Sequence, residues 1–292
     1  MDETPSLPGL PAPPPLGASA LPPGTYDGSL VLVTGGGTGL GKAIAAEFAR
    51  LGADLVIASR GEHHLRAAQE ELASSGGRVT AAVCDVRDPD RISEVYDACG
   101  LPDVLVNNAA ANFPVPAEEM SPNAWRAVVD ITLTGTFLMT REFARRHLAA
   151  GTPGSVVNVG ASYAWTGGPG FAHSAAAKAG VHNLVETLAV EWGPYGIQVN
   201  GLVPGLMPHQ DMTDDIRGSL DRAEGHDRRQ PALRVGSPRE LGWAATFLAS
   251  PYARFVSGHT LVVDGANWQR RTVVSPPVVP VREQLGREPF AG

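Results

Sequence analysis

A chain of 292 residues, 43% of them hydrophobic and 18% charged, can bury a sizeable core. A formal net charge of −7 excludes the basic surface that phosphate neutralisation requires, so no nucleic-acid partner is expected; Arg228-Arg229 and Arg270-Arg271 are too short to make a patch. Two cysteines, Cys84 and Cys99, fall short of a disulfide framework, and the histidines show neither HExxH nor paired Cys/His spacing, so no metal is expected.

Residues 1–27, dense in proline from Pro5 to Pro23, predict a disordered or polyproline-like arm. They show no basic stretch followed by an apolar one, and no apolar run in the chain is long enough to span a bilayer. The chain ends Phe290-Ala291-Gly292, which is no peroxisomal address. A cytoplasmic enzyme with no membrane partner is the expectation.

Leu30–Val33 is a short apolar run that meets TGGGTGLG at residues 34–41. Leu40, Ile44, Phe48 and Leu51 then recur at helical spacing. A second strand is predicted at Leu55–Ala58 and a helix through Leu65–Leu72. A third strand follows at Val79–Val83, then a helix around Ile92–Ala98 and a fourth strand at Val104–Val106 before Asn107-Asn108-Ala109-Ala110. Ser121-Pro122 reads as N-cap and first position of a helix running past Phe137. The fifth strand is Val156–Val159. A helix carrying Ser174 and Lys178 on one face follows, then a sixth strand at Ile197–Val203. The polar stretch 206–236 predicts a substrate lid. A helix near Leu241–Leu248 and a strand at Thr260–Val263 complete the set. Strands alternating with helices predict an α/β fold: one domain, residues 28–266, built as a doubly wound, Rossmann-type parallel sheet with helices on both faces. Residues 267–292 form a second proline-rich extension.

Gly35, Gly39 and Gly41 lie between a strand and a helix, where glycine lets backbone N–H groups approach a pyrophosphate at the helix N-terminus. The end of the second strand selects the cofactor. Instead of the carboxylate that NAD(H) requires for its ribose hydroxyls, it carries Ser59-Arg60, which suits a 2′-phosphate and favours NADP(H), although Glu62 is close by. Asp85 is placed to accept from the adenine amino group or to cap the helix that starts near Pro89.

With these residues the chain resembles the short-chain dehydrogenase/reductase family over about residues 28–266. The carriers are TGGGTGLG, CDV at 84–86, NNAA at 107–110, the Lys178 helix and VNGLVPG at 199–205. The resemblance implies a parallel sheet of about seven strands and a homotetramer. It implies cofactor contacts from Gly35, Gly37, Thr38, Gly39, Leu40 and Gly41, from Ser59, Arg60, Asp85, Val86, Asn108 and Ala109, and from Lys178, Pro204, Gly205 and Met207. The better-known branch has a tyrosine four residues before the lysine; this chain has Ser174 there, and Thr132 where the usual helix asparagine stands. The sequence is similar instead to the 2,4-dienoyl-CoA reductases of the family, in which the tyrosine moves to the loop after the fifth strand. That likeness implies Tyr163 and Asn112 as substrate-activating groups, Ser174 and Lys178 as the cofactor clamp, Phe113 at the acyl site, and hydride transfer from NADPH to a conjugated thioester. Arg87 and Arg60 are placed to contact phosphates of the cofactor or of a CoA substrate, or, for Arg87, to stand as a solvated charge at a helix start. Two alternatives stay open: a carbonyl or enoyl reductase using Tyr163 as general acid on another acyl or secondary-metabolite substrate, and an NADP(H) sensor without turnover.

Overall fold

The computed structural model describes residues 9–15, 17–209, 212, 230–269 and 281–288. The apolar runs become strands β1 (Leu30–Thr34), β2 (Asp54–Ser59), β3 (Val79–Val83), β4 (Val104–Asn107), β5 (Gly154–Val159), β6 (Ile197–Pro204) and β7 (Thr260–Val263). They form a seven-stranded parallel sheet in the order β3-β2-β1-β4-β5-β6-β7. The helices are α1 (Gly39–Arg50), α2 (Glu62–Ala73), α3 (Pro89–Cys99), α4 (Pro122–Val129), α5 (Gly135–Ala150), α6 (Tyr163–Thr166), α7 (Ala172–Trp192), α8 (Pro238–Ala249) and α9 (Val281–Gln284).

Both faces of the sheet are covered, which is why its strands read as continuous apolar runs and not as alternating ones. Val31, Val33, Leu55 and Ile57 point into one cluster with Ile44, Phe48 and Leu65 of α1 and α2 and Leu241 of α8. Leu32, Val56, Ala58 and Leu105 point into the other, with Tyr96 of α3, Phe143 of α5 and Val185 of α7. Ile44 and Phe48 are fully buried, so truncating either to alanine costs about 2–5 kcal/mol. At the outer edge of β3, two carbonyls that have no neighbouring strand accept side-chain donors: Val79 O from Gln69 Nε2 at 2.7 Å and Val83 O from Arg91 Nη2 at 2.9 Å.

Ser121 caps α4, its Oγ accepting the Ala124 N–H at 3.1 Å, with Pro122 at the first position, as the sequence predicts. The helix does not run uninterrupted past Phe137, however. Asp130–Thr134 winds as a π-helical turn between α4 and α5. The turn buries Thr132, whose Oγ1 accepts the Ala111 N–H at 3.3 Å, and brings Gly135 against Val86, where a Cβ would stand 2.5 Å from Val86 Cγ2.

Residues 9–15 and 17–27, expected as part of a disordered or polyproline-like arm, make hydrogen bonds to the domain. Leu10 N–H donates to Ala232 O at 2.9 Å, Arg234 Nε to Pro11 O at 3.0 Å, and Trp243 Nε1 to Ala18 O at 2.9 Å. Tyr26 is buried and its hydroxyl donates to Thr246 O at 2.5 Å. Proline carbonyls and a few large side chains give an irregular segment enough to hold. Most of the expected lid lies outside the described residues; only 206–209, 212 and 230–236 fall within them. Among the described residues no helix is long and apolar enough to cross a membrane.

Candidate active site

The strand order reverses between β1 and β4, and a groove of about 830 Å³ opens there at the carboxyl ends of the strands. Gly35 and Gly39 have φ of +65° and +53°, which only glycine adopts without strain. A Cβ on Gly41 would lie 2.3 Å from Gly35 O and 2.4 Å from Asn108 Nδ2, so the turn is closed around missing side chains. Thr38 at the N-cap of α1 makes no side-chain cap bond, and the first turn holds no acidic residue. That leaves the positive end of the helix facing the groove without a built-in anion. A dinucleotide pyrophosphate fits this cradle.

Thr34 Oγ1 accepts the N–H groups of Asn108 and Ala109, both at 3.1 Å, while Asn108 Nδ2 donates to Thr34 O at 3.2 Å and to Gly35 O at 3.3 Å. Asn108 therefore shapes the glycine turn with its side chain and lines the groove beside it. Leu40, Ser59, Arg60, Val86 and Ala109 line the groove as well. The Arg60 guanidinium makes no ion pair among the described residues, whereas Glu62 is engaged by Arg66. Asp85 lines the groove too, already paired. Its carboxylate is gripped by the Arg87 guanidinium, Nη2 to Oδ2 at 2.6 Å and Nε to Oδ1 at 3.0 Å, and Oδ1 also accepts the Arg87 N–H. That hydrogen bonding holds the carboxyl below the usual carboxylate range. The helix cap falls to Asp88, whose Oδ1 accepts from Asp90 and Arg91 N–H, and Arg87 is occupied by Asp85. Gly205 and Met207 are also set apart: they line a separate cavity of about 40 Å³ beside Arg234 and Glu240, and Met207 is buried. Gly205 donates its N–H to Val263 O, and Pro204 ends β6.

Tyr163, Ser174 and Lys178 gather where β5 ends. Ser174 and Lys178 are one turn apart on the buried face of α7. Lys178 Nζ donates to Val159 O at 2.5 Å, and burial lowers its pKa from 10.5 to about 8. Tyr163 opens the short helix α6, and its hydroxyl meets Ser174 Oγ at 3.0 Å. Burial raises the phenol pKa, with Ser174 opposing in part, so the hydroxyl is protonated at neutral pH. Phe171 stacks on Tyr163 with ring centroids 6.5 Å apart. Asn112 is exposed at the groove rim, and among the described residues its side chain makes no hydrogen bond to Tyr163. Phe113 meets His173 edge-on at 4.7 Å.

Two histidines of the groove are absent from the sequence-based set. His64 lines the wall, and His209 stands so close to Gly39 that a Cβ there would lie 2.8 Å from its Cε1. His64 reads as one of a surface pair with His63. His209 lies in the polar segment that carries no periodic signal, so nothing local reveals either.

Residues 35–266 match the family model described as Enoyl-(Acyl carrier protein) reductase. A Bacillus subtilis (strain 168) protein, a probable 2,4-dienoyl-CoA reductase of the (2E)-enoyl-CoA-producing type, is 39% identical over 82% of this chain and 96% of its own. The peroxisomal 2,4-dienoyl-CoA reductase of Mus musculus, (3E)-enoyl-CoA-producing, is 36% identical over 84% of this chain and 86% of its own. Among solved structures, a short chain dehydrogenase from Bacillus anthracis is 37% identical, covers 82% of this chain and 96% of its own, and superposes with a TM-score of 0.73. An Agrobacterium tumefaciens relative with bound NADP is 36% identical over 85% of this chain and 99% of its own, at a TM-score of 0.78. The chain belongs to the short-chain dehydrogenase/reductase superfamily and is an oxidoreductase of that type.

Proposed function

We propose that the chain is an NADPH-dependent reductase of conjugated 2,4-dienoyl-CoA thioesters. The observation that carries the reading is the split site: a serine occupies the helix position four before Lys178, and the phenol arrives from α6 to meet that serine at 3.0 Å. The match to 2,4-dienoyl-CoA reductases along most of the chain supports it. Arg60, on the groove wall and without an ion pair among the described residues, supports NADPH over NADH, because the nearby Glu62 is engaged by Arg66.

NADPH, when bound, supplies a hydride to the far end of the conjugated system. Negative charge then collects on the thioester oxygen as a dienolate. The protonated Tyr163 hydroxyl and the Asn112 amide are the chain's donors to that oxygen, and such donors act most where charge develops. Lys178 contributes hydrogen bonds and positive charge at the nicotinamide ribose. Ser174 orients the phenol, a duty added to its place in the cofactor clamp. Water supplies the proton that completes the carbon.

Purified Tyr163→Phe should lose about 10²- to 10³-fold in kcat while its NADPH dissociation constant stays unchanged. Full turnover in that variant would overturn the assignment. The 3.0 Å contact between Tyr163 and Ser174 also favours a second reading, a carbonyl or enoyl reductase in which Tyr163 gives its proton to the substrate. NADPH oxidation measured on dienoyl-CoA, 3-oxoacyl-CoA and simple ketones separates the two, and cofactor binding without turnover on any of them would mark a sensor. The homotetramer implied by the superfamily belongs to the same proposal. The exposed Phe255, Tyr252 and Val190 support it as surface for subunit contact. Sedimentation should give the mass of four chains, and a monomer would refute it.

A further inference from the structure

Residues 281–288 lie beyond the family match, which ends at residue 266. They nevertheless sit on the two loops that carry the reacting groups. α9 sets Val281 and Leu285 against Gly170: a Cβ on that glycine would lie 3.6 Å from Val281 Cγ1 and 4.0 Å from Leu285 Cδ1. Gly170 precedes Phe171, the ring stacked on Tyr163. From the same short helix, Arg282 Nη1 reaches Glu118 Oε1 and Glu119 Oε1, both at 2.9 Å, and Arg287 Nε lies 3.3 Å from Glu119 Oε2. Glu118 and Glu119 close the loop that begins with Asn112 and Phe113. The two loops touch through Val115 N–H and Gly170 O at 2.9 Å, so the tail spans a joint that one hydrogen bond already makes.

We propose that the C-terminal segment is a positioning element for the acyl substrate, with Arg282 as its positioning residue. It fixes the spacing between the Asn112–Phe113 loop and the Tyr163–Phe171 loop, and thereby the width of the slot that receives an acyl thioester. The inference rests on the dienoyl-thioester reading only for the identity of the acyl group. An isolated exposed ion pair does little. Arg282, though, is only 21% exposed, serves two adjacent carboxylates and is backed by the apolar contact over Gly170. Removing it leaves Glu118 without its cation and Glu119 with Arg287 alone, so nothing bridges the two carboxylates to α9. Nothing in the contact touches the dinucleotide groove, so the effect should divide between the two substrates.

The test uses the full chain carrying Arg282→Glu. The acyl-substrate KM should rise about fivefold while the NADPH dissociation constant is unchanged. Amide hydrogen exchange should quicken at 112–119 and 167–171 and nowhere in β1 or α1. Arg282→Lys should recover most of the acyl KM, and Glu118→Lys in the Arg282→Glu background should recover part of it by exchanging the charges of that pair while Glu119 keeps Arg287. Unchanged exchange and unchanged acyl KM in Arg282→Glu would overturn the proposal, as would an equal loss for both substrates. Exchange needs no substrate, and the KM comparison uses whichever acyl thioester or ketone the wild type reduces. A wild type inert toward dienoyl-CoA therefore defeats the proposed activity without deciding this one.

Discussion

Lys178 carries its ammonium in a place that resists charge. Burial drops its pKa from 10.5 to about 8, against which its ammonium has a hydrogen bond to Val159 O. Between those two values the unfolded chain holds a proton that the folded chain has released. Stability therefore rises with pH across that window, and the burial cost, about 3 kcal/mol, is fully present below its lower end. Urea midpoints of the wild type should climb from pH 8 to 10.5 relative to those of Lys178→Met. Parallel profiles would show a lysine that titrates normally. The same shift sets a limit on the proposed cofactor role: NADPH affinity should weaken above about pH 8, as the ammonium is lost. Tyr163 is moved the other way, toward the protonated form, so at neutral pH the site holds a donor hydroxyl, and the lysine is still mostly charged because its lowered pKa lies above 7.

At the scale of elements, the N-terminal arm shows what irregular chain can contribute. Tyr26 couples it to α8 through a buried hydroxyl and packs edge-on against Phe48 of α1, with ring centroids 4.8 Å apart. Burial holds that phenol well above its ordinary pKa, so it donates at any working pH. Tyr26→Phe keeps the ring and strands the Thr246 carbonyl, a loss of about 1–2 kcal/mol that thermal unfolding would register. An unchanged melting temperature would mean that water reaches the carbonyl instead. The arm was not legible because its anchors are single residues among prolines, with no period to betray them. The seven strands were legible because burial on both faces writes each as an apolar run. The helix after Ser121 was half legible: its cap is a local signal, but the π-helical turn at 130–134 follows from Gly135 meeting Val86, a contact between distant segments. In the site, the spacing of Ser174 and Lys178 could be read directly. The grip of Arg87 on Asp85 could not, since the same three residues also allow a free carboxylate.

At the scale of the molecule, the crevice between β1 and β4 receives glycine turn, asparagine pair and strand ends from one side of the sheet, while Tyr163, Ser174 and Lys178 approach from β5 and α7. The groove residues and the Tyr163–Ser174–Lys178 cluster thus hang on different strands of one sheet. The opposite concern of such a sheet is its outermost strand. β3 would offer a row of bare carbonyls to any passing chain, and Gln69 and Arg91 occupy two of them. Covering edge carbonyls in this way disfavours edge-to-edge pairing. Gln69→Ala combined with Arg91→Ala should leave turnover intact yet raise light scattering in concentrated, warmed solution. Scattering equal to that of the wild type would place the protection elsewhere. Two hydrogen bonds with no part in the chemistry thus occupy carbonyls that a second sheet edge would need.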